Sequence, residues 1–74
     1  MIQDELEATA ARYDDSAGEL ERAAAHLRIA ARHFRAHDVA PGCAHAFAAY
    51  GHLRVVQRQI DEHAELHRQK AQLS

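Results

Sequence analysis

One large side chain returns every seventh residue through the first half of the chain: Leu6, Tyr13, Leu20, Leu27 and Phe34. Four residues after each of the first four stand Ala10, Ala17, Ala24 and Ala31. A 4-3 spacing held over four heptads is the period of a helix in a bundle or coiled coil. It cannot be laid on a strand, where alternate residues share a face. Thr9, Ala23 and Ala30 widen the stripe, and small residues along it let a partner helix approach to about 8 Å. Strand-forming residues are scarce, with three Val, three Ile, one Thr and four aromatics, so a β-rich fold is excluded.

The only proline and a neighbouring glycine lie together at Pro41-Gly42. Proline removes an amide donor and pushes Ala40 away from helical geometry. A turn is therefore expected over 38–42, between a helix over about 2–37 and a second over about 43–72. The second helix presents Ala46, Ala49, Tyr50, Leu53, Val56 and Ile60 as its inner face, then His63, Ala64 and His67. Ile29, Leu66 and Leu73 fall off the two stripes and leave apolar surface to spare. A Ser-x-x-Glu capping box (Ser16 to Glu19) beside Gly18 offers a break near 14–18, which would set apart a short N-terminal helix. A heptad that keeps phase through this segment argues for one continuous or kinked helix.

The expected fold is all-α, an antiparallel helical hairpin forming a single domain over 1–74. A chain of this length buries only about 60 % of its unfolded surface. Of its 35 hydrophobic residues, 17 are alanine, so the core is thin. A two-helix hairpin hides one side of each helix, and dimerisation into a four-helix bundle is the expected remedy. The interface anchors would be Leu20, Leu27, Phe34, Tyr50, Leu53, Val56 and Ile60. The function expected is protein–protein interaction or assembly, with a second copy as the first partner and a different protein as the other.

Seven histidines stand at helical spacings: His26 and His33, His33 and His37, His45 and His52, His63 and His67. Histidines four apart share a helix face and can reach one metal ion. His63 and His67, with Asp14 brought across the hairpin, are the candidate ligands of a divalent metal, the one cofactor the sequence suggests. The HExxH pattern is missing because position 64 is Ala. Glu-x-x-His pairs of di-iron bundles are missing too, since Glu62 is followed at +3 by Glu65. Otherwise these histidines are core-edge or solvated side chains.

The net charge of −2 argues against a general nucleic-acid or membrane binder. Charge is unevenly spread, acidic over 1–21 and basic over 22–40. Arg28, Arg32 and Arg35, beside His33 and His37, form the face that a nucleic-acid-associated regulator would use. No aromatic platform or short recognition helix accompanies them. Enzyme function is not expected. Cys43 and His45, two apart on a helix, point about 200° from each other. Ser16 and Ser74 are the only serines, and no glycine-rich phosphate loop exists. A single cysteine excludes an internal disulfide. The Trp-x-x-Leu-Gly-x-x-Tyr pattern of tetratricopeptide repeats is missing. No signal-peptide pattern opens the chain and no apolar run approaches a membrane span, so the cytoplasm is the expected location.

Overall fold

Two helices, α1 (Ile2–Arg35) and α2 (Val39–Gln72), make an antiparallel hairpin in a computed structural model. It describes the backbone of residues 2–72 and the side chains of residues 3–71; Leu73 lies outside them. The Cα atoms fill a slab of 56 × 23 × 11 Å, one helix thick. Its radius of gyration is 17.1 Å, against about 11 Å for a compact domain of this length.

The reversal is shorter than the sequence suggests and sits earlier. Among the described residues only 36–38 lie outside the helices, and Val39 through Gly42 already belong to α2. The α1 terminus is a Schellman motif: Asp38 N–H donates to the His33 carbonyl at 2.8 Å and His37 N–H to the Phe34 carbonyl at 3.0 Å. His37 holds the left-handed position with φ 65°. Asp38 then caps α2, its carbonyl accepting from Gly42 N–H at 3.2 Å. Pro41 does not push Ala40 out of the helix. In a helix interior its ring would strike the carbonyl four residues back, but here that residue is His37, outside α2. In a first turn the missing amide leaves no hydrogen bond unmade.

Nor does α1 break at 14–18. Ser16 does not cap a helix; it is buried at 5 % exposure and its hydroxyl donates to Gln59 Oε1 across the hairpin. Gly18 is tolerated inside α1, with room for a side chain beside the Arg22 guanidinium.

The helices meet on a row of small residues, not on the bulky stripe. On α1 the row is Thr9, Ser16, Ala23 and Ala30; on α2 it is Gly42, Ala49, Val56 and His63. Ser16, Ala23, Ala30, Gly42, Ala49 and Val56 are buried. At about 100° per residue, positions four further on lie to one side of this seam and positions three further on lie to the other. Leu20, Leu27 and Phe34 therefore share one face of the slab with Leu53 and Ile60. Glu19, His26 and His33 share the opposite face with His45, His52 and Gln59.

Candidate functional site

The two faces differ in chemistry. On the first, Leu20, Leu27, Tyr50 and Leu53 line a shallow apolar groove floored by Ala23, Ala24, Ala46 and Ala49. The apolar row runs on beyond it. Leu6 is 65 % exposed, Tyr13 45 %, Leu27 54 %, Phe34 46 % and Ile60 45 %. Of the seven anchors expected from the sequence, six (Leu20, Leu27, Phe34, Tyr50, Leu53 and Ile60) are exposed here. Val56, at 6 % exposure, belongs to the hairpin's own seam. The reason these large side chains are left out is steric. Alanine and glycine at the seam bring the helices together, so residues 40° off it cannot fit between them. Phe34 shows the limit of that approach. Its ring lies over Gly42, where an added Cβ would stand 2.8 Å from Cε2.

The opposite face carries four imidazoles in one alternating stack. His33 of α1 stacks on His45 of α2, with ring centroids 5.5 Å apart and planes 13° from parallel. His45 Nδ1 meets His26 Nδ1 at 3.0 Å. His26 in turn stacks on His52, at 5.5 Å and 18°. Each end of the stack meets a carboxylate. Glu19 is hydrogen-bonded to His52 Nδ1 at 2.5 Å, and Asp38 lies 3.7 Å from His33 Nδ1. The hydrogen bond from His52, then that from Arg22, hold the Glu19 carboxyl below its ordinary value of 4.5. That bond therefore supports the fold above this value and is lost as pH falls through the lowered range. Farther along, Tyr13 hydroxyl is bonded to His63 Nδ1. The exposed Arg12–Glu62 pair closes at 3.4 Å.

The histidine spacings of seven are visible in the sequence, but their partners are not, because the partners depend on where the chain turns. A turn centred on residue 40 sets His26 opposite residue 54. Centred on 37, it sets His26 opposite residue 48, midway between His45 and His52.

Among the metal candidates, His63 and His67 line a cleft at the open end with Leu6 and Leu66. Asp14 is exposed and lies outside this cleft. Among the described residues, no three His, Cys, Asp or Glu side chains are arranged to hold a metal ion. The stack itself fails for a geometric reason: stacked rings offer their faces to the His26–His45 pair, and a third ligand must offer a lone pair. Arg28, Arg32 and Arg35 are exposed along the turn half of α1. Cys43 is a free, half-buried thiol. No helix among the described residues is long and apolar enough to cross a membrane.

The chain matches no family model, no curated protein and no solved structure. The geometry alone defines the class: a small all-α hairpin with an exposed apolar helix face.

Proposed function

We propose that this protein is a non-catalytic assembly module that pairs with a second copy of itself, apolar face to apolar face, as a four-helix bundle. The observation that carries this reading is the unbroken exposed row Leu6, Tyr13, Leu20, Leu27 and Phe34. The accessible surface is 5855 Å², roughly 1,300 Å² more than the ~4,600 Å² expected of a compact chain of this mass. A standard interface takes about 800 Å² from each partner, so the excess suffices for one.

The charge pattern supports a second copy as the occupant. Residue by residue, the row beside the bulky one reads Glu7, Asp14, Glu21, Arg28, Arg35. Pairing this row with its own antiparallel image about Glu21 sets Glu7 by the partner's Arg35 and leaves Glu21 beside its own copy. It also sets Asp14 by the partner's Arg28. An axis one residue away, at Leu20, stacks Leu6 on the partner's Phe34 and Tyr13 on the partner's Leu27. On a larger scale, residues 20–56 at the turn half carry five arginines against Glu21 and Asp38. The open half carries nine acids against four bases. The two halves attract when two hairpins lie turn to open end.

Native mass spectrometry with circular dichroism tests this. The wild type is expected as a helical dimer, and Leu27→Asp as a helical monomer. Leu27 is already half exposed in the hairpin, so the hairpin loses little. The dimer loses two buried leucines, and its Kd should rise at least about 100-fold. A wild-type monomer, or a dimer indifferent to Leu27→Asp, overturns the reading. The other two readings, a metal bundle through His63, His67 and Asp14 and a nucleic-acid regulator through Arg28, Arg32 and Arg35, rest on spacing and charge alone. The same spectra report on the first. Whole metal ions per oligomer that vanish in His67→Ala would replace assembly with metal binding as the primary reading.

A further inference from the structure

We propose that the His33–His45–His26–His52 stack is an acid-sensitive latch that holds the two helices in register at neutral pH and releases them when it is fully protonated. The proposal rests on the assembly reading above, because both helices build the apolar face and separating them dismantles it. The hydrogen bond at its centre needs one Nδ1–H donor and one Nδ1 lone pair, at 3.0 Å. Two neutral rings in opposite tautomers supply these. Two imidazolium rings cannot, since both nitrogens are then donors facing each other.

Neighbouring charges set the sign of the effect. On α1 the stack faces Glu19 and, beyond it, Arg22; Asp38 lies at the turn. Glu19 compensates a proton on His52, and Asp38 compensates one on His33. No carboxylate reaches the central pair. The row flanking it carries Ile29 on α1 and Ala48 and Val55 on α2, all half-buried. The charged members of that flanking row, Asp15, Arg22 and Glu62, lie farther toward the open end. Arg22 is already bonded to Glu19 at 2.9 Å. The stack thus tolerates two positive charges at its ends. Charging the central rings as well places them about 5 Å from already charged neighbours and breaks the only hydrogen bond between them. Histidine is the side chain whose ordinary titration falls in this range.

The test is thermal unfolding followed by circular dichroism between about pH 7.5 and about pH 5, with sedimentation at both ends. Wild type should lose about 5–10 °C of Tm across this interval, and its dimer should weaken in step. His26→Gln with His45→Gln removes the central imidazole pair and should flatten the profile. His37→Gln with His67→Gln, both exposed and outside the stack, should leave it intact. An unchanged wild-type Tm, or a double variant H26Q/H45Q that tracks wild type, overturns the latch. If H26Q/H45Q does not fold, histidine nitrogen NMR of wild type decides. At neutral pH Nδ1–H is expected on His52, which donates to Glu19, and on one of His26 and His45, whose unlike pairing is lost on acidification; His26 and His45 both Nε2–H at neutral pH sink the idea. A monomer at pH 7.5 with a falling Tm defeats the assembly reading and keeps the latch. A dimer that is equally stable at both pH values defeats the latch alone.

Discussion

His37 is the residue with the largest backbone cost and the clearest remedy. An L-residue in the left-handed region is strained by roughly 1–2 kcal/mol, and glycine avoids this at some entropic expense in the unfolded chain. The Schellman bonds of the turn use backbone groups only, and the imidazole of His37 is exposed. His37→Gly should therefore stabilise the hairpin by about 0.5–1 kcal/mol. Chemical denaturation reads this directly, and a loss of stability would mean that the His37 side chain has a partner that the geometry does not show. Ser16 makes a related point. Its place in a Ser-x-x-Glu pattern suggests a cap, yet its hydroxyl is committed to Gln59 inside a continuous helix. Local side-chain chemistry lost to the seam that passes through it.

At the scale of the element, the three glycines of the chain separate into distinct cases. Gly51 has open space where a Cβ would project, whereas Gly42 has the Phe34 ring there. Gly51→Ala should gain roughly 0.5–1 kcal/mol from helix propensity. Gly42→Ala should gain less, because the ring must swing off its seat. In a Phe34→Ala background, Gly42→Ala should recover the full gain, and a double-mutant cycle measures the difference. Equal effects in both backgrounds would mean that the ring does not rest on Gly42. The same contact explains what could and could not be read in advance. Two helices and a reversal near Pro41-Gly42 were legible, because heptad spacing and a single proline speak for themselves. The seam was not. Two seven-residue rows run along α1, one bulky (Leu6 to Phe34) and one small (Thr9, Ser16, Ala23, Ala30), and periodicity cannot rank them. Burying the small row wins because it lets backbones approach and leaves the histidine row half-covered on the far side. Reading Gly42 as part of the turn, when it is the seat of Phe34, moved the assumed register and hid the imidazole stack.

At the scale of the whole molecule, the decisive quantity for the proposed dimer is the direction in which two slabs would meet. A dyad along the long axis would bring both turn halves together, each with five arginines against two acids. A dyad across it brings each turn half onto the other chain's open half and aligns Asp14 with the partner's Arg28. These arrangements place the two turns at very different separations. A helix of 34 residues is about 50 Å long, so turns at opposite ends lie about 50 Å apart, and turns at the same end lie within one bundle width. A spin label at Ala36, introduced as Ala36→Cys with Cys43→Ser, reports that separation by pulsed dipolar spectroscopy. The long distance is expected. Reversing the charges supplies the cause. Arg28→Glu alone should weaken the dimer about tenfold, from two like-charge contacts of roughly 0.5–1 kcal/mol each. Adding Asp14→Arg should restore it, since the pair is then re-formed with its signs exchanged. A short turn-to-turn distance, or no rescue by Asp14→Arg, would place the dyad along the hairpin. The apolar row would then have to hold the bundle together against the repulsion of its own arginines.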